Sequence, residues 1–186
     1  MKRKIGFAQI IWSIAGVMLF LASYLAFITP DNELLNIAWE LGLAMSLAGF
    51  ANILVYIKEH NRIHGVEWLL ADGMSTVALS FFPLFNKMII SAVIPFFFGV
   101  WELFSGVLKV IDSKGLREEK IIGWHGFLAI GLIEFISGGL SMIKPLEETV
   151  GMNHVIAVVI FIQGVGYISK TILYPQITDL YKKIKF

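Results

Sequence analysis

The chain has 186 residues, 57% of them hydrophobic and 16% charged, with 15 basic residues against 14 acidic ones and no cysteine. An average soluble domain is about 45–50% apolar and about 25% charged, so this composition excludes an ordinary soluble protein. The near balance of charge excludes a polycationic nucleic-acid binder, and the lack of thiols excludes disulfides, thiolate metal sites and cysteine nucleophiles.

Six apolar runs are long enough to cross a hydrocarbon core of ~30 Å at ~1.5 Å per residue. They cover 5–28, 34–57, 66–85, 88–111, 121–143 and 154–173, which leaves short loops and no room for a separate domain, so 1–186 reads as a single integral membrane domain. The first run follows Lys2, Arg3 and Lys4 but exceeds the ~7–15 apolar residues of a secretory signal, and is expected as a retained helix. Run two carries Glu40 near one end. Run three is interrupted by Asp72, and only Asn86 and Lys87 separate it from run four, which implies a tight hairpin. Run four holds Pro95, where a bend is expected, and Glu102; run five holds Glu134. In run six Gln163 precedes Lys170, Pro175 is expected to close the helix, and the tail from Tyr181 to Phe186 reads as a surface-lying anchor. Trp68 and Trp124 sit near helix ends, in the headgroup zone that indole rings favour.

Lys and Arg bias loops to the cytoplasm, so their distribution over alternate loops sets orientation. One side collects 13 of them and the other only Lys87 and Lys144. That asymmetry predicts both termini inside a cell (inner or plasma) membrane and an even number of spans. A weak internal repeat accompanies it: an offset of 62 lays Asp72 on Glu134 and Pro83 on Pro145, and an offset of 61 lays Glu102 on Gln163 and Lys109 on Lys170. The unit is then a two-helix hairpin of about sixty residues repeating in parallel orientation.

Three runs contain glycines seven apart: Gly42 and Gly49, Gly99 and Gly106, Gly131 and Gly138. Seven residues at about 100° each return to one face, so each pair lines a seam for close helix approach. Glu102 and Glu134 lie within about 60° of their glycines and therefore face a neighbouring helix. Asp72 and Glu134 fall near mid-membrane. Such charges cost on the order of 2.5–3.5 kcal/mol each on insertion scales, which calls for neutralisation, hydration or pairing with Lys109, Lys170 or His125. Asp72, Glu102, Glu134, His125 and Gln163 are therefore the candidate proton-handling groups, with interhelical hydrogen bonding and a substrate contact as the alternative roles of Glu102 and Glu134. His60 and His64 have a chelating spacing but no third ligand, so no metal or cofactor is expected. Nucleophile-elbow, zinc-protease and phosphate-loop patterns are absent, and no catalytic residues emerge.

From Trp68 to Pro175 the chain resembles the HdeD-type acid-resistance membrane proteins, through the glycine-spaced helix ending in proline at Gly131 to Pro145 and Trp68 to Pro83, followed by a Gly-bearing polar helix at Gly99 to Lys109. The resemblance implies a bacterial inner-membrane protein of six spans built from repeated hairpins, with a role in envelope stress and survival at low pH; it brings no site residues. The expected architecture is an all-α membrane protein, a six-transmembrane-helix bundle of three hairpins with a pseudo-repeat. Its leading function is non-enzymatic and pH-responsive; a small-solute or proton-coupled transporter or channel and a structural or partner-binding module are the alternatives. The bilayer is the expected partner, and the glycine seams leave a homo-oligomer or another membrane protein open.

Overall fold

The structure, a computed structural model, describes residues 6–60, 67–85, 94–118, 120, 123–143 and 150–184. Among them are six α-helices: α1 (Phe7–Ile28), α2 (Ala38–Glu59), α3 (Glu67–Phe85), α4 (Ile94–Glu118), α5 (Trp124–Ser141) and α6 (Met152–Ile184). A 3-10 turn, Asp31–Ile37, joins α1 to α2. Local chemistry sets several of the ends. The Gln9 side chain accepts the free Gly6 amide at the start of α1. At its other end Thr29 donates its hydroxyl and its amide to the Leu25 carbonyl, and Pro30 bars a further turn. Gly123 precedes α5 at a φ of 110°, left-handed backbone that glycine adopts freely, and a methyl there would lie 2.5 Å from Leu173. Asp31 accepts the Asn153 amide at 2.7 Å, so a carboxylate from the α1–α2 link caps the first turn of α6.

Side chains are distributed inside out relative to a water-soluble bundle. Along α1 the exposed stripe is Ile10, Ile14, Val17, Leu21 and Tyr24, whereas the buried stripe is Ala8, Trp12, Ala15, Leu19, Ala22 and Ala26. Along α1 small residues line much of the interior and large apolar ones face outward, and every other helix also exposes large apolar side chains; lipid is the solvent that arrangement suits. By length and composition α1, α2, α3 and α6 can each cross a membrane. Helix α4 carries more charge, with Glu102 and Lys109 turned inward. The protein is a multi-pass helical membrane protein.

Each helix neighbours the next in sequence, as three successive hairpins require, but the closest packing runs between the hairpins: α2 on α3, α4 on α5, and α1 on α6, which closes the ring. Those three crossings are equivalent. A methyl on Gly16 would meet Ile168 and the Gly164 carbonyl; on Gly73, Ile53 and the Gly49 carbonyl; on Gly131, Val110 and the Gly106 carbonyl. Gly16, Gly73 and Gly131 are 57 and 58 residues apart, as are Gly49, Gly106 and Gly164. The repeat therefore has a period of 57–58, not 61–62. The difference of four residues is about one helical turn, so the expected alignment kept each side chain on its face and missed its level. At the true period Asn52, Lys109 and Tyr167 are equivalents.

One helix end differs from expectation. Helix α6 does not stop at Pro175 but continues to Ile184, 33 residues in all, or about 50 Å, well beyond a ~30 Å hydrocarbon core. The described part of α4 begins at Ile94, so the bend expected at Pro95 falls at the edge of the described residues.

Candidate functional site in the bundle interior

Where helices cross at glycine, backbones approach closely and side chains a turn away are pushed into the centre. Lys109 lies three residues beyond Gly106 and Glu134 three beyond Gly131, and they form a salt bridge of 2.6 Å, both side chains fully buried. The Lys109 ammonium also donates to Ser105 one turn back, at 2.7 Å. Ser105 in turn lies 3.5 Å from the Gln163 side-chain oxygen on α6. Gly166 completes the enclosure, since a methyl there would stand 2.8 Å from Glu134 Oε1.

A second pair lies beside the first. Lys170 of α6 meets Asp72 of α3 at 3.0 Å. Asn52 ties the surroundings together: its Nδ2 donates to Asp72 Oδ2 at 2.7 Å and to the Tyr167 hydroxyl at 3.0 Å, while its Oδ1 accepts from Trp12 Nε1 at 2.9 Å and from Lys170. Tyr167 donates its hydroxyl hydrogen bond to the Ala48 carbonyl. The faces of Tyr167 and Trp68 lie 4.3 and 5.0 Å from the Lys170 ammonium, close enough for cation–π attraction. All six helices supply this cluster or the first. Ser105, which holds Lys109, also lies on the side of Asp72.

Glu102 is the exception. It is completely buried, on the same face of α4 as Ser105 and Lys109, and neither of its carboxyl oxygens has a hydrogen-bond partner among the described residues. Ser137 of α5 faces it, but that hydroxyl donates to the Ile133 and Glu134 carbonyls. Glu134 Oε1, Asp72 Oδ1 and Gln163 Nε2 are likewise buried without partners. Buried polar atoms are normally satisfied, so this concentration sets the region apart from ordinary helix packing. Among the described residues the interior holds three carboxyls and two lysines, and these charges cancel when one carboxyl carries a proton.

Asp72, Glu102, Glu134 and Gln163 are thus brought together within one interior. His125 is not: its side chain is exposed and stacks on Trp124 at 3.5 Å. It lies near the level of Asp112 on α4, about three turns or ~15 Å from Glu102, because α5 runs antiparallel to α4 with Gly131 opposite Gly106. Lys109 and Lys170 serve inside the bundle and not in loops, which lowers the one-sided count of basic residues from 13 to 11. The glycine seams lie at crossings: Gly42 and Gly49 against Pro83, Leu84 and Gly73, and Gly99 and Gly106 against Gly138, Ser141 and Gly131. Glu40 and His60 are exposed; His64 lies outside the described residues. Asn52, Ser105, Tyr167 and Trp12 had not been singled out. The period of 57–58 would have found Asn52 and Tyr167, since it places both on Lys109.

A ring of six helices around paired buried charges defines a class, the multi-pass membrane bundle built from repeated hairpins. Within that class the chain matches the family described as a short repeat of unknown function (DUF308) twice, over residues 14–85 and 71–143. The matches cover most of the chain, which belongs to this family. Their starts and ends are offset by 57 and 58 residues, the period of the glycine crossings. They include α2 and most of α1, so the first hairpin is a full repeat and not a diverged appendage. No curated protein and no solved structure matches the chain.

Proposed function

We propose that this chain is a non-enzymatic bacterial membrane protein of the HdeD type whose buried carboxyl groups bind and release protons as the pH beside the membrane changes. The observation that carries this reading is Glu102, fully buried, without a hydrogen bond, and facing Glu134, whose Oε2 is held by Lys109. A carboxyl so placed changes the net charge of the interior by one on gaining or losing a proton, with no aqueous screening to absorb the difference. The groups beside it are Lys109 on its own helix and Glu134 and Ser137 on α5, while Asp72 on α3 and Lys170 on α6 act in turn on Glu134. Packing of the glycine crossings depends on the same pairs, so a change in charge bears directly on how tightly α4 and α5 close. The resemblance to acid-resistance proteins supports the same direction.

The test is pH-gradient-driven proton flux into liposomes holding the purified protein, with Glu102→Gln and Glu134→Gln alongside, and survival at low pH of cells carrying each form. Glutamine keeps size and hydrogen bonding and removes titration. Flux or survival that falls in both variants supports the reading; native behaviour in both refutes it. The accompanying topology, both termini on the cytoplasmic side, rests on the remaining excess of basic residues and is checked by single cysteines near residues 6, 60 and 150 in a chain that has none of its own. Labelling of the first two from outside the cell would overturn it.

A further inference from the structure

Four buried atoms without partners lie on α4, α5 and α6: Glu102 Oε1 and Oε2, Glu134 Oε1 and Gln163 Nε2. They come from three helices, each residue is completely buried, and the set is chemically mixed, three acceptor oxygens and one amide donor. The three helices hold them at related levels, because Ser105, one turn from Glu102, lies against both Lys109 and the Gln163 side-chain oxygen, and Lys109 binds Glu134. Gly166 lets the α6 backbone come against Glu134 Oε1, which fixes that oxygen at the α6 side of the junction.

The mixture decides the guest. A metal cation would suit the oxygens, but it would stand beside the Lys109 ammonium and leave the Gln163 amide protons facing a positive charge; no group of three or more metal-binding side chains occurs among the described residues. An anion is excluded by the carboxyls. Water both donates and accepts, and a buried water makes two to four hydrogen bonds. We propose that the α4–α5–α6 junction is a binding site for enclosed water, which accepts from Gln163 Nε2 and from the protonated Glu102 carboxyl and donates to Glu134 Oε1, and that this water is the step by which protons pass between the two carboxyls.

The relay rests on the proton-handling reading above, whereas the water site does not. In the step itself the Glu102 O–H bond breaks as its proton joins the water oxygen, and one of the water's own O–H bonds breaks as its proton joins Glu134 Oε1. Bond count is conserved and one proton moves. The second cluster differs in kind: Asn52, Tyr167, Trp12 and Lys170 satisfy one another, and only Asp72 Oδ1 is left over. Water is therefore assigned to the α4–α5–α6 junction and not to the whole interior.

The experiment is infrared spectroscopy of the full-length protein in lipid nanodiscs, with ordinary water exchanged for oxygen-18 water, on the native chain, Gln163→Leu and Glu102→Gln. Enclosed water gives sharp stretching bands that shift with the oxygen mass. The native protein should show them, Gln163→Leu should lose at least one, and Glu102→Gln, which still hydrogen-bonds, should keep them at moved positions. A native protein without a mass-sensitive band overturns the site, as does Gln163→Leu with the native spectrum. Should Gln163→Leu fail to elute as the native protein does, Gln163→Met, closer in shape, takes its place under the same criterion. Bands present with no proton flux refute the functional reading and keep the site; flux without bands does the reverse.

Discussion

An added methyl at Gly106 would lie 2.6 Å from the Phe135 amide nitrogen and 2.7 Å from the Gly131 carbonyl oxygen, backbone atoms that no rotamer change can move. Ordinary contact begins at 3.4 Å, so Gly106→Ala must part α4 and α5 by about 0.8 Å at this crossing. Lys109 and Glu134 sit one turn along on the same two helices. The same displacement stretches their 2.6 Å contact to roughly 3.4 Å, past the range of a sound hydrogen bond. Overpacking costs about 1–3 kcal/mol, and losing part of a buried ion pair adds to it, while alanine returns about 1 kcal/mol of helix propensity. The expected net is a destabilisation of about 2–4 kcal/mol. Gly139 on α5 has nothing within 4 Å of an added methyl, so Gly139→Ala should be neutral or gain up to about 1 kcal/mol. Reversible unfolding in mixed micelles, titrated with SDS, measures both. If Gly106→Ala unfolds at the same SDS fraction as Gly139→Ala, the helices do not meet at Gly106 and the interior charges are not held by that crossing.

Further consequences follow from the buried pairs. Lys109→Met strands Glu134 and should cost about 3–5 kcal/mol in the same unfolding assay, whereas the double change Lys109→Met with Glu134→Leu should recover most of it; additive losses would mean the two groups do not interact. Trp12→Phe removes the indole donor to Asn52 together with part of a buried ring and should cost about 1–2 kcal/mol, while Asn52→Leu, which leaves Asp72, Lys170 and Trp12 short of a partner at once, should cost clearly more. A smaller loss for Asn52→Leu than for Trp12→Phe would remove Asn52 from the centre of that cluster. Asp31→Ala deletes the carboxylate at the start of α6 and should cost about 1 kcal/mol, with faster hydrogen exchange at the Asn153 amide and unchanged behaviour of the interior; unchanged exchange would show the cap to be idle.

Helix number and position were legible in the sequence because twenty-odd apolar residues in a row have few alternatives once water is excluded from the backbone. Burial of Glu102 and Glu134 was legible too, since a helix wheel fixes which residues share a face with Gly99, Gly106, Gly131 and Gly138. Level along the axis was not. Shifting one helix by a turn changes no face, so Lys170 was aligned with Lys109 where Tyr167 belongs, and Lys170 and Lys109 were counted in loops although both are interior. Asn52 escaped notice because a neutral amide in an apolar run breaks no rule that a carboxylate breaks. His125 was misplaced by the opposite error: its depth was read from the end of α5 without the antiparallel register that puts Glu102 against the far half of that helix. Pro175 was read as a stop, yet a proline that close to the end of a long helix loses only one backbone bond and can be carried through.

Helix α1 finds its closest partner in α6, the sixth described helix, through contacts such as Ser23 with Ala157 and Gln9 with Thr171, which span 134 and 162 positions of chain. At synthesis rates of ~5–20 residues per second, α1 waits in the bilayer for roughly 10–30 s before the ring can close. Of the spans it is the one best suited to waiting, an uncharged helix whose Gly16 notch and alanine stripe leave little that lipid would reject. The pairs α2–α3 and α4–α5 assemble earlier from neighbouring segments. Closing the ring is therefore a long-range docking event, and a ribosome that stalls within α6 leaves α1 to α5 open, with their charged interior exposed along one flank.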